Sequence, residues 1–158
     1  MCIRDSHRPL SPGELDHAQA LFGPAIAYDG IKVHARRYLP FQPRSVAMAP
    51  NGHIYFPKPS YKPDFSTTVP DLAWILHELT HVWQHQHGMW VRLRGTLAAG
   101  RYHYGDLADT NRPFTRFNIE QQAAIVGDYV LTTNGYHPQH GRGARADYER
   151  VLPFIGGG

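Results

Sequence analysis

The run DLAWILHELTHVWQHQHG, from Asp71 to Gly88, constrains the fold more than any other part of the chain. Leu72, Trp74, Ile75, Leu76, Leu79, Val82 and Trp83 recur at helical spacing and cover much of a helix's circumference. A helix apolar on so many sides has to be buried, so the rest of the domain must wrap it. Asp71 is its predicted N-cap and Gly88 its predicted stop. The same helix carries His77, Glu78, His81, His85 and His87. Burying imidazoles and a carboxylate costs free energy unless each finds a partner. What the core offers them is therefore the central question.

Successive helical residues turn by about 100° and rise by about 1.5 Å, so His77 and His81 point within about 40° of each other. Glu78 lies about 60° from His81, close enough to reach a water between the imidazoles without being a ligand. This is the HExxH arrangement of a catalytic zinc site. Two neutral imidazoles and a third ligand leave zinc one position for water, whose pKa falls to about 7, and the glutamate takes the proton. His87 has the ten-residue spacing of the metzincin pattern HExxHxxGxxH, but Gln84 stands where that pattern has its helix-breaking glycine. On an unbroken helix His87 lies about 9 Å beyond His81 along the axis, which excludes it. His85 is on the correct side, yet three imidazoles spread over about 12 Å cannot all come within about 2.1 Å of one ion. It is expected to be exposed, or at most to touch a ligand.

The better third ligand is Glu120. In the first turn of a helix the macrodipole alone explains a glutamate. However, a gluzincin takes a carboxylate from a downstream helix packed on the HExxH helix. Glu120 is the only glutamate between Glu78 and Glu149, and its helix is the next strong one.

The remaining elements follow from local pattern. Ser11, Pro12 and Glu14 form a capping box ahead of Leu15, Ala18, Leu21 and Phe22, and Gly23-Pro24 ends that helix. Ile31, Val33 and Ala35 alternate as a half-buried strand, ended by Pro40. Ser45–Met48 and His53–Phe56 read as a hairpin around Asn51-Gly52, and Pro57 to Pro70 as a loop. Thr96 to Pro113 reads as connection. Asn118 and Gln121 can cap a helix with Ile119, Ala123, Val126 and Val130 on its buried stripe and Gly135 as its stop. A last short helix is predicted within Arg145–Phe154.

A chain of 158 residues, 42% hydrophobic and 18% charged, matches one globular domain, and its 13 prolines and 15 glycines make it loop-rich. The net charge of +3 is scattered in pairs such as Arg36-Arg37, with no basic stripe, so nucleic acid is not an expected partner. Cys2 is the only cysteine, which excludes an intrachain disulfide. No run approaches the roughly 18 apolar residues of a membrane span, and no export signal is visible. The opening MCIRDS resembles a translated read-end artefact, so residues 1–8 are expected to lie outside the fold and 9–158 to form one domain. A cytoplasmic location is expected, or export by a signal-independent system.

HELTHVWQHQ followed by FNIEQQAAIVGDY resembles the small bacterial proteins labelled Vgr-related, zincin-like metallopeptidases, and the likeness runs from RPLSPGEL through Tyr129. The resemblance implies a zinc site with His77 and His81 as ligands, Glu78 as base and Glu120 as third ligand, and an association with VgrG and type VI secretion. Typical gluzincins have an acidic residue four positions after the ligand glutamate to brace a histidine. Ala124 occupies that position here, and Asp128 comes one turn later. Zincins also hold an extended substrate along an edge strand, a role open to His53–Phe56. Tyr102, Tyr104 and Tyr129 are candidates to donate a hydrogen bond to the oxyanion.

The expected fold is α+β: one zincin-like domain, mainly helical, with a small sheet or hairpin over the HExxH helix. Two functions compete. One is a zinc metallopeptidase acting on a peptide or protein. The other is a non-catalytic zinc-binding accessory or cargo module of a type VI secretion system.

Overall fold

A computed structural model describes residues 6–89, 91 and 101–155. Residues 1–5 of the suspect opening, Thr96–Gly100 of the predicted connection and the terminal glycines lie outside the described residues. Among the described residues the architecture is α+β, with four helices and two small sheets.

Helix α1, Pro12–Phe22, starts as its sequence dictates. The Ser11 hydroxyl accepts from Glu14 N at 3.2 Å, and Glu14 Oε1 accepts from Ser11 N at 2.8 Å. Helix α2, Val69–Gln86, begins three residues earlier than predicted. Thr68 is the N-cap, its Oγ1 accepting from Asp71 N at 3.3 Å, and Pro70 occupies the first turn, where its missing N–H has no helical partner to lose. Asp71 lies inside the helix and instead accepts from Lys62 Nζ at 2.6 Å. Helix α3, Ile119–Thr133, has the predicted Asn118–Gln121 capping box, and Gly135 after it takes φ +82°. Helix α4, Arg145–Val151, packs on α3 and buries Tyr148 completely.

The central packing is α2 against α3. Ile75, Leu79 and Val82 are fully buried on α2, as are Ala123, Ile125 and Val126 on α3. Each large aliphatic side chain removed from water contributes about 1.5–3 kcal/mol. Gly127 lies where the helices run close, since a Cβ there would stand 3.4 Å from the Ala73 carbonyl oxygen and 3.7 Å from His77 Cβ, the near edge of ordinary contact. Beyond α2, Phe22, Trp83 and Phe154 pack ring on ring.

Two sequence expectations need correction in the sheet. Strands β1 (His7–Arg8), β2 (Val33–His34) and β3 (Ile54–Tyr55) lie in that order, with β1–β2 antiparallel and β2–β3 parallel. The fold therefore starts before residue 9: His7 and Arg8 pair with β2, and Ala35 N donates to Ser6 O at 2.8 Å. The predicted hairpin shrinks to a single antiparallel bridge, Met48 with Tyr55, because β3 gives its other edge to β2. Strands β4 (Gly105–Asp106) and β5 (Gly141–Arg142) form a separate parallel pair.

Arg8 shows how firmly this early segment is held. Its guanidinium grips both carboxylate oxygens of the fully buried Glu14 at 2.8 and 2.9 Å, and Glu14 also accepts from Phe65 N at 2.7 Å. Removing one partner would leave a buried charge without its counterion. Arg8→Ala is expected to lower the free energy of unfolding by about 2 kcal/mol in urea titration, below the roughly 3–5 kcal/mol of a sealed pair because solvent partly screens the guanidinium.

Candidate metal centre

Helix α2 runs beneath a cavity of about 1100 Å³ and presents His77, Glu78 and His81 to it, while α3 presents Glu120, Ala124 and Asp128. The ligand atoms of His77, His81 and Glu120 lie within 4.8 Å of one another, the arrangement expected from the sequence. His81 Nε2 is 3.4 Å from Glu120 Oε1.

Hydrogen bonding fixes the tautomer of His81. Gln122 spends its amide protons on the carbonyls of Phe114 and Phe117, so its oxygen accepts from Gln84 Nε2 at 2.8 Å. Gln84 Nε2 also donates to Ile119 O at 3.0 Å, which leaves only its Oε1 to face His81 Nδ1, at 2.8 Å. Nδ1 therefore carries the hydrogen, and Nε2 turns toward Glu120. On His77 a ring N–H donates to the Ala123 carbonyl. Burial, then the nearness of His81 and His140, holds the His77 pKa well below the ordinary imidazole range, so the ring is neutral and keeps a lone pair.

These residues fit a divalent cation. Two nitrogen donors and one carboxylate converge, which is a zinc ligand set with an open position. Beside them Glu78 is 4% exposed, and its Oε2 has no hydrogen-bond partner among the described residues. Burial, and secondarily Glu120, raises the Glu78 pKa well above the carboxylate range. Unpartnered carboxylate oxygens are costly in a core unless a cation or a water completes them.

The remaining candidates divide. Tyr102 lines the cavity, donates to the Glu120 carboxylate and has its pKa pushed up to about 12 by burial, Glu120 and Glu78. Tyr104 does not face the cavity. Its hydroxyl donates to Asp128 Oδ2 at 2.7 Å and meets the Tyr148 hydroxyl, so it is corrected from oxyanion donor to brace. Tyr129 bonds Glu149 at 3.2 Å and is likewise remote. Asp128 does not brace a ligand histidine. It accepts from Gln139 N at 2.8 Å and His140 N at 2.9 Å, fixing the loop that forms the opposite wall. His85 is exposed beside Gly52, away from the cluster, and His87 Nε2 is 2.9 Å from the Ala25 carbonyl oxygen. The run facing the cavity above the cluster is Ser45–Pro50, in place of the expected His53–Phe56.

No family model matches the chain. The type VI secretion system spike protein VgrG2b of Pseudomonas aeruginosa is 37% identical over 139 residues, which cover 84% of this chain. That stretch is 14% of the spike protein's own length. The solved effector domain of the same VgrG2b superposes with a TM-score of 0.74 at 33% identity, over 95% of this chain and 84% of that domain. The chain belongs to the VgrG2b effector-domain family. The relationship extends over nearly the whole chain, so it takes in both helices of the candidate centre.

Within this VgrG2b-type domain, two functional contributions escaped sequence reasoning. Gln84 was read only as the missing metzincin glycine, although its position three residues after His81 places the two side chains on one helix face. His140 lines the cavity with its ring 5.2 Å from that of Tyr102, and no local pattern announces it. It is placed by Asp128 and by β5, where a Cβ on Gly141 would stand 2.3 Å from the Tyr104 ring. Losing the partner that orients a ligating histidine typically costs 10–100-fold in metal affinity. Gln84→Leu should weaken zinc retention by about that factor in a chelator competition, with Glu120 and both imidazoles intact.

Proposed function

We propose that the chain is an effector module associated with type VI secretion, and that it hydrolyses peptide bonds at a zinc centre held by His77, His81 and Glu120. The secretion role is supported by the relationship to a type VI spike protein and its effector domain. It implies delivery by the secretion apparatus, and no helix among the described residues is long and apolar enough to cross a membrane. The peptidase role rests on one observation: Glu78 lies buried beside the three donors with an oxygen that no group among the described residues satisfies. A purely structural site has no use for a base there.

A zinc ion at this centre would supply Lewis acidity, acidifying water and polarising a peptide carbonyl. Glu78 takes a proton from the attacking water and returns it to the departing amide nitrogen. His140, which lines the cavity beside Tyr102, donates a hydrogen bond to the carbonyl oxygen as negative charge develops, while the Tyr102 hydroxyl stays on Glu120. Gln84 and the Ala123 carbonyl keep the imidazoles aimed at the centre. Met48 exchanges both main-chain bonds with Tyr55, so the amides of Ala47 and Ala49 turn the other way, along the cavity. Among the described residues they have no partner, which leaves an edge for an extended substrate.

The second reading keeps the secretion role and the metal but not turnover. The comparisons back the secretion association that this second reading carried from the start, and they do not bear on hydrolysis. Elemental analysis joined to a peptide-cleavage assay on the purified chain decides between them. Zinc at one equivalent with cleavage lost in a Glu78→Gln chain supports the enzyme. Zinc without cleavage of any delivered peptide supports the accessory module.

A further inference from the structure

The loop before the edge carries an unusual concentration of exposed apolar surface. Four large hydrophobic side chains are exposed among the described residues, and Leu39, Phe41 and Val46 are three of them. Phe41 is 92% exposed. Leu39 and Val46 line the cavity, with Tyr38, Ala47, Met48, Ala49 and Pro50, and none of these carries a charge. An apolar rim of this kind, continuous with a cavity, is a usual mark of a recognition surface.

The loop is also held rigidly. Gln42 is 4% exposed, and its Oε1 accepts from Tyr38 N at 2.7 Å while its Nε2 donates to Val46 O at 2.7 Å and Tyr55 O at 3.2 Å. Its main-chain N donates to Leu39 O at 3.1 Å, and its carbonyl accepts from Arg37 Nε at 2.8 Å. Pro40 and Phe41 thus occupy the centre of a closed turn, with proline at the position where its fixed φ favours one. Five bonds from one buried glutamine display Phe41 to solvent when a free loop would fold it away. A preorganised aromatic loses little conformational freedom when a partner covers it.

We infer that Leu39, Phe41 and Val46 form a specificity ledge that seats a bulky apolar side chain of an extended peptide lying along Ala47–Ala49. The inference rests on the peptidase reading and adds its substrate class: segments with an aliphatic or aromatic residue on one side of the bond facing Glu78. The occupant is an extended chain because the ledge continues directly into the unpaired main-chain edge. Acidic side chains are disfavoured there, since the cavity's opposite wall already holds Asp71, Glu78, Glu120 and Asp128.

The test uses two synthetic peptides with identical polar flanks, one with Leu-Phe-Leu at its centre and one with Ser-Asp-Ser. Their binding to the zinc-loaded Glu78→Gln chain is read by fluorescence anisotropy. The apolar peptide should bind at least about tenfold more tightly, the scale on which a hydrophobic pocket discriminates. Phe41→Ser and Leu39→Ser, both at exposed positions, should shrink that gap to about twofold with melting temperature unchanged. Equal binding of the two peptides, or a gap indifferent to both substitutions, overturns the ledge. Cleavage by the parent chain is scored separately. If it holds zinc and cuts neither peptide, the peptidase reading fails, while anisotropy still reports on the ledge.

Discussion

On the proposed peptidase reading, a Glu78→Gln chain is expected to bind zinc as the parent does and to hydrolyse peptides more slowly by about a hundred- to ten-thousandfold. The amide keeps the shape of the carboxylate, and Glu78 is not among the three converging donors, so the metal should stay. What the substitution removes is the group that takes the proton from water and passes it to the leaving nitrogen, a contribution of about 10²–10⁴ in rate. The side chain is 4% exposed and its Oε2 lacks a partner, so glutamine breaks no hydrogen bond to that oxygen. Stability should therefore hold or rise slightly. Zinc content, melting temperature and cleavage rate on one preparation give the result. Unchanged hydrolysis with full zinc occupancy would remove Glu78 from the reaction.

Glu120→Ala is the second large effect, and it separates the ligand sets. Without the carboxylate, two imidazoles alone face the ion, and zinc affinity should fall by more than the roughly 100-fold that marks the upper range for loss of a supporting partner. His87→Ala should leave affinity unchanged, because His87 sits beside the Ala25 carbonyl on the far side of the helix end. The comparison extends to stability. A ligand at a thousand times its Kd adds about 4 kcal/mol to a fold that alone binds it, and in a domain of this size that corresponds to roughly 10 °C in melting temperature. Chelation should cost the parent and His87→Ala chains that increment, and the Glu120→Ala chain little. Equal zinc loss in His87→Ala and Glu120→Ala would return the metzincin spacing to consideration.

The parts legible in the sequence were those set by local physics. The Ser11 and Asn118 capping boxes, the burial of α2 and the shared direction of His77 and His81 all follow from residues within one or two turns of each other. The nearness of Glu120 to the two imidazoles could be anticipated because so few glutamates compete with it. The strand runs were less informative. Four apolar residues with a turn signal read as a hairpin, yet Ile54–Tyr55 pairs with Val33–His34, since partner choice in a sheet depends on chain segments a local window never sees. His7 and Arg8 were dismissed with the opening because nothing nearby reveals that Arg8 meets Glu14. Asp128 was noted as a residue without its task being fixed. Its partners, Tyr104 and the amides of Gln139 and His140, come from segments brought together only by the β4–β5 pair. His140 had no signal for the same reason.

The bare hydrogen at Gly127 bears on which ion the centre would choose. Where it passes Ala73 and His77, an added methyl carbon would stand 3.4 Å from a carbonyl oxygen and 3.7 Å from His77 Cβ, the near edge of ordinary contact, so the two helices lie with little slack between them. Zinc's short bonds of about 2.0–2.1 Å and the 2.3–2.6 Å of a cation such as calcium differ by only a few tenths of an ångström. The calibre of the coordination cage is thus gauged by the backbone, two turns away from the carboxylate that helps to form it.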